Sequence, residues 1–207
     1  YGGFQLKLSN KFLNLAGQEI LHYSVEAFLK HANIHDIIIV TSSDFLDQVT
    51  ANYPQCLVVI GGATRQDSVF NGVKACSKDT KQVLVHDAAR PLIPQEVIDA
   101  CLRKLETFDG VAPAIEPVDS MIQIVGDNFL NLDRNSLKIV QTPQCFHINV
   151  LRQAHDSGKT DTDEIGLVKQ AIPSARLGFV TGAPETMKIT SSKDIEIVKM
   201  YLQSKQT

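Results

Sequence analysis

Four polar clusters in this sequence stand at the ends of short apolar runs, and each holds residue types suited to an anionic ligand. The first, Gly61-Gly62-Ala63-Thr64-Arg65-Gln66-Asp67-Ser68, follows Leu57–Ile60. Paired glycines let backbone amides approach a ligand, and the helix expected after them offers its positive end. A tight turn with a helix cap at Asp67 or Ser68 accounts for the same residues. The second, His86-Asp87-Ala88-Ala89-Arg90-Pro91, sets a carboxylate three residues from a guanidinium. The acid suits hydroxyl groups and the Arg suits a phosphate; a local ion pair is the plainer account. His86 reads as a satisfied structural histidine, since no second metal ligand stands at useful spacing. The third joins Asp133-Arg134, Gln141-Thr142-Pro143-Gln144-Cys145-Phe146 and Thr162-Asp163-Glu164. Hydroxyls at Thr142 and Thr162 and the charge of Arg134 suit a phosphorylated alcohol, while Thr162-Asp163-Glu164 also reads as a helix start with acids in its first turn. The fourth is Lys188 inside Thr186-Met187-Lys188-Ile189-Thr190. An unpaired buried ammonium is expensive, so Lys188 is expected to reach solvent or an anion.

Alternating elements must position these clusters. Strands are expected at 36–41, 57–60, 82–86, 176–180 and 186–190, from their β-branched and apolar runs. Helices are expected where Leu21, Val25 and Phe28, then Val97, Cys101 and Leu105, then Ile195, Val198 and Leu202 recur at helical spacing. Further helices are expected at 44–52, 67–76, 150–155 and 164–171, and Pro94 stands where the helix carrying Val97 would begin. This order predicts an α/β fold with a mainly parallel, doubly wound, Rossmann-like sheet, and ligands at the carboxyl ends of its strands. Short strand-like pieces at 111–115, 121–125 and 129–132, broken by Pro, Gly, Asp and Asn, read as a protruding β-arm at about 115–138 that serves dimerisation. The whole of 1–207 is expected to form a single domain.

A net charge of -3 argues against a broad nucleic-acid-binding face but leaves room for a small anion held by a few cations. Cys56, Cys76, Cys101 and Cys145 form no CxxC pair and are expected as free thiols in a reducing cytoplasm. No apolar run is long enough for a membrane span. The motifs GxxxxGK[ST], HExxH, GxGxxG and GxSxG are all missing.

Together, GGATRQDS, HDAARP, DR followed by QTPQCF, TDE, and MKIT before Ser-Ser-Lys-Asp resemble the 2-C-methyl-D-erythritol 4-phosphate cytidylyltransferases of the non-mevalonate isoprenoid pathway. The resemblance runs from about Lys11 to the C-terminus. It implies transfer of CMP from CTP to the polyol phosphate, with Mg²⁺ carried mainly by the CTP phosphates and no protein metal ligands. It assigns Lys11 and Lys188 to the triphosphate and the transferring group, and Gly62, Ala63 and Ser68 to cytosine and ribose. Asp87, Arg90, Ser120, Arg134, Thr142 and Thr162 would hold the polyol phosphate. It further implies a homodimer in which the arm exchanges between subunits and Arg134 serves the partner's site. A ribitol-5-phosphate cytidylyltransferase shares the fold and the CTP chemistry, but DR before QTPQ, with TDE, favours the methylerythritol enzyme. A nucleotide-binding relative without catalysis is the third reading. Family members begin with an apolar strand and a glycine-rich loop bearing an Arg; Tyr1–Asn10 carry neither, so residues ahead of Tyr1 are expected. Asn10 stands where Pro is usual, Ser120 replaces the usual Thr, and Ile122 replaces a frequent Lys.

Overall fold

The computed structural model describes residues 14–15 and 17–204. In chain order, β1 (Asn14–Leu15) and β2 (Gln18–Glu19) form a short antiparallel pair ahead of α1 (Ile20–Leu29). Then come β3 (Ile38–Thr41), α2 (Leu46–Asn52), β4 (Leu57–Ile60), α3 (Arg65–Ala75), β5 (Gln82–Val85), α4 (Gln95–Leu105) and β6 (Gly110–Ile115). β7 (Met121–Val125) and β8 (Asn128–Leu132) follow, with β9 (Ile139–Val140), β10 (Gln144–His147), α5 (Ile148–Asp156), α6 (Glu164–Ala171), β11 (Leu177–Thr181) and α7 (Ser192–Ser204).

The helices form where an apolar stripe meets a usable cap. In α4, Val97, Ile98, Cys101 and Leu105 are buried along one face, Pro94 stands at the N-cap, and Glu96 and Arg103-Lys104 oppose the helix dipole at either end. In α1 the buried face is Leu21, Val25 and Phe28, as the spacing predicts.

β3 and β4 pair in parallel. The larger sheet runs β11-β6-β10-β5, with β9 beside β6. Since β10 is antiparallel to both β5 and β6, and β11 is parallel to β6, the strands β5, β6 and β11 all point one way. The α/β class and mainly parallel sheet are therefore as expected, with β10 and the short β9 reversed. Among the described residues no ladder joins β3 to β5. A cavity of 1630 Å³ is lined by both strands, by Leu21, Val25 and Phe28 of α1, and by Val69 and Val73 of α3.

Two local expectations are corrected. Residues 111–115 are not part of an arm: β6 is buried at the middle of the main sheet, bonded to β11, β10 and β9. The arm proper is the β7–β8 hairpin, closed by Gly126-Asp127 with Gly126 at φ 60°, a conformation glycine adopts without steric cost. Residues 186–190 are not a strand. A 3-10 turn at Pro184–Thr186 leads into irregular chain whose hydrogen bonds go to the 88–92 loop, Ile189 N–H to Ala89 O at 2.9 Å and Thr186 Oγ1 to Leu92 O at 3.1 Å.

Candidate active site

The turn after β4 is built for close approach. Thr64 caps α3, accepting from Asp67 N at 3.0 Å while Asp67 Oδ2 accepts from Thr64 N at 3.1 Å, a reciprocal capping box. Ser68 Oγ donates to Thr64 O at 2.9 Å and accepts from Gly62 N at 3.1 Å. A Cβ on Gly62 would run into Asp67, so the turn admits no side chain there. The expected tight turn and helix cap are both present, but the cap is Thr64 rather than Asp67 or Ser68, because only Thr64 stands ahead of α3's first turn; the same turn lines the cavity through Gly61, Gly62 and Thr64.

Beyond β5, Asp87 is the hub. Its Oδ2 lies 3.0 Å from Lys188 Nζ and 3.4 Å from Arg90 Nε, and its Oδ1 lies 3.5 Å from Arg65 Nε. Burial works to raise the Asp87 value, but Lys188, then Arg65 and Arg90, more than cancel it and hold the carboxyl far below its ordinary range. Arg90 is lowered by burial, against the opposing pull of Asp87, and also donates through Nη1 to Thr186 O at 2.8 Å. Lys188 meets both of its sequence-based expectations: it is 37% exposed and it contacts an anion.

Behind the hub runs a chain whose proton positions follow from its last acceptor. His86 Nε2 lies 3.0 Å from Arg90 O, which only accepts, so Nε2 carries the hydrogen. Nδ1 then accepts from Thr142 Oγ1 at 3.0 Å, and that hydroxyl accepts from Asp87 N at 3.1 Å. Desolvation pushes the imidazole down to about 4, so it stays neutral at pH 7. His86 is a structural histidine, as its isolation in the sequence suggests, and it sets the backbone on either side of Asp87.

Arg65 and Glu164 had drawn no site role from the sequence. Arg65 Nη1 and Nη2 donate to Glu164 Oε1 and Oε2 at 2.8 and 2.9 Å, and Glu164 is 1% exposed. Burial pulls the Arg65 value down, but Glu164 and then Asp87 outweigh it and leave it raised; burial likewise leaves Glu164 raised despite Arg65. The bidentate geometry pairs both carboxylate oxygens with the guanidinium. Asp163, accepting from Gly166 N at 2.8 Å, caps α6, while exposed Thr162 hydrogen-bonds Asp161.

The structure thus gathers Asp87, Arg90, Lys188, Thr142, Arg65 and Glu164, with the Gly62 turn lining the same cavity. Ala63 belongs to that turn, and Ser68, in the first turns of α3, accepts from its Gly62 N–H. Ser120 and Arg134 are exposed at the base of the arm, where Arg134 Nη1 donates to Val118 O at 2.7 Å. Lys11 lies outside the described residues.

A mainly parallel α/β sheet thus carries three cations around one carboxylate just beyond a strand end. The sequence profile of the 2-C-methyl-D-erythritol 4-phosphate cytidylyltransferases matches residues 4–204, and the chain belongs to that family. The cytidylyltransferase of that name from Clostridium botulinum (strain Langeland) is 33% identical over 210 residues, covering 95% of this chain and 90% of the relative. The Caldanaerobacter subterraneus enzyme is 32% identical over 214 residues, covering 95% and 91%. A crystal structure of 4-diphosphocytidyl-2C-methyl-D-erythritol synthase superposes with TM-score 0.83 at 27% identity, covering 94% of this chain and 95% of the other. That of the Anaerococcus prevotii synthase gives 0.88 at 24% identity, covering 98% and 92%, a likeness of fold.

Proposed function

We propose that this chain transfers CMP from CTP to 2-C-methyl-D-erythritol 4-phosphate, releasing pyrophosphate and 4-diphosphocytidyl-2-C-methyl-D-erythritol. The observation that carries this reading is Asp87 shared by Lys188, Arg90 and Arg65 beside the Gly61-Gly62 turn. An oxygen of the polyol phosphate attacks the α-phosphorus in line. A new P–O bond forms, the α–β P–O bond breaks, and pyrophosphate departs with the electron pair. A phosphate dianion is already a nucleophile at neutral pH, so no side chain has to remove a proton; positioning and charge neutralisation supply the rate.

Lys188 and Lys11 neutralise the triphosphate and the transferring group. Gly62, Ala63 and Ser68 meet cytosine and ribose, which fits a turn that excludes side chains. Asp87 takes substrate hydroxyls and Arg90 the phosphate, with Thr142 and Thr162 beside them. Thr142 Oγ1 already serves His86 and Asp87, so its part is to hold Asp87 as much as to touch substrate. Asp87 is committed to cations, so in this reading a Mg²⁺ would be carried by the CTP phosphates. When bound there, the ion would neutralise triphosphate charge.

The working unit in this reading is a cytoplasmic homodimer of a single 1–207 domain, in which the arm brings Ser120 and Arg134 to the partner's site. Four free cysteines fit a reducing compartment, and no described helix is long and apolar enough to cross a membrane. Pyrophosphate release measured with CTP and each of two alcohols tests the substrate. Activity with 2-C-methyl-D-erythritol 4-phosphate well above that with ribitol 5-phosphate is expected; the reverse preference, or no release with either, overturns the assignment.

A further inference from the structure

We infer that Arg65 and Glu164 form a positioning pair that ties the nucleotide-side turn to the Thr162 loop and sets the Asp87 carboxylate for the polyol phosphate. This rests on the function proposed above and adds two residues to it.

Arg65 opens α3 directly after the Gly61-Gly62 turn, and Glu164 opens α6 directly after the loop bearing Thr162. The pair therefore spans two segments assigned to different substrates. Both carboxylate oxygens of Glu164 are taken by the two terminal nitrogens of Arg65. Gln66 adds two more ties between the same segments, donating to Lys159 O at 2.8 Å and accepting from Asp161 N at 3.3 Å. From the far side, buried Gln144 accepts from Ile165 N at 2.9 Å and donates to Asp163 Oδ2 at 2.9 Å, fixing the start of α6.

With one N–H of each terminal nitrogen held this way, Arg65 turns its Nε toward Asp87 Oδ1 at 3.5 Å. Asp87 Oδ2 is thereby left to Lys188 and Arg90. Glu164 keeps Arg65 from turning its whole fork onto Asp87, and Arg65 keeps Asp87 from collapsing onto Lys188. A lysine cannot replace it, because a point charge has no planar fork to serve two carboxylates in fixed directions. Stability alone is a weak reason to keep such a pair, since well-packed apolar residues stabilise a buried position as well or better. The guanidinium is also 36% exposed and lines the cavity, where ligand would meet it.

Steady-state kinetics of the whole protein, varying each substrate separately, test the pair in Arg65→Lys, Arg65→Gln, Glu164→Gln and the double Gln variant. Misplacing Asp87 should raise KM for 2-C-methyl-D-erythritol 4-phosphate on the order of tenfold or more. KM for CTP should stay within about twofold, because the turn after β4 keeps its own capping bonds. The double variant should be no worse in polyol-phosphate KM than either single one, as for groups acting as a unit. Arg65→Lys retains the charge and serves as the folded variant if a neutral one fails to fold. A purely structural pair would lower melting temperature and active fraction without this split between substrates. Unchanged KM for the polyol phosphate in Arg65→Lys, or equal rises for both substrates, overturns the inference while wild-type activity leaves the function standing. A wild-type protein without turnover sinks both.

Discussion

The cations around Asp87 come from three parts of the chain: Arg65 from the start of α3, Arg90 from the same loop, and Lys188 from the segment before α7. That dependence makes its surroundings sensitive to the His86 chain, which holds the backbone on both sides of it. The neutral state of His86 has a measurable consequence. Its folded value of about 4 lies below the ordinary 6.5, so between those values the unfolded chain binds more protons than the folded one. The contribution is complete above about pH 6.5 and is lost as pH falls, amounting to about 3 kcal/mol by pH 4. His155, also lowered mainly by burial, acts in the same direction, whereas the depressed Asp87 value adds its loss only at lower pH, below the ordinary carboxylate range. Melting followed from pH 7 to pH 4.5 should show a steep fall in wild type and a shallower one in His86→Gln; equal slopes would remove the neutral-histidine account.

Residue types at the hub were legible in the sequence because Asp87, Arg90 and Lys188 stand at the ends of, or within, apolar runs. The pairing of Arg65 with Glu164 was not. The two lie 99 residues apart, and an acid in the first turn of a helix looks like ordinary dipole compensation until its burial is known.

Among the elements, the turn after β4 joins helix stability to nucleotide contact. Removing the Thr64 hydroxyl in Thr64→Ala breaks one half of the capping box and should cost about 1 kcal/mol. KM for CTP should rise with it, since Ser68 and Gly62 hang from the same turn. Urea unfolding together with CTP kinetics checks this, and lost stability with unaltered CTP kinetics would separate the turn from the nucleotide. Most elements follow from local pattern: α1, α4 and α7 from helical spacing, β3, β4 and β5 from β-branched runs. β10 escaped, because Gln144-Cys145-Phe146-His147 has two polar residues out of four and follows a proline. It becomes a strand through ladders to β5 and β6, and Gln144 is buried only because Asp163 and Ile165 satisfy its amide. The 186–190 segment erred the other way. Its apolar and β-branched composition suits a strand, yet its hydrogen bonds go to the 88–92 loop, and that detour carries Lys188 to Asp87.

For the whole molecule, the β7–β8 hairpin is the feature least explained by one copy of the chain. Ile124 is 67% exposed, Phe129 59% and Leu130 58%, and the hairpin's ladders among the described residues are internal. Apolar side chains concentrated on one hairpin are what the homodimer proposed above would cover. For the proposed homodimer, sedimentation should give two copies, and Ile124→Lys with Phe129→Lys a folded monomer with little activity, since Ser120 and Arg134 would then not reach the partner's site. A fully active monomer would detach the arm from catalysis.

The central claim is that cations assembled around Asp87 carry the transfer of CMP. Turnover of Lys188→Ala, measured by pyrophosphate release at saturating CTP and 2-C-methyl-D-erythritol 4-phosphate, tests it most directly. Loss of a preorganised charge should lower kcat on the order of 10²- to 10³-fold, with the melting temperature little changed. A kcat near the wild-type value in a normally folded variant would contradict it.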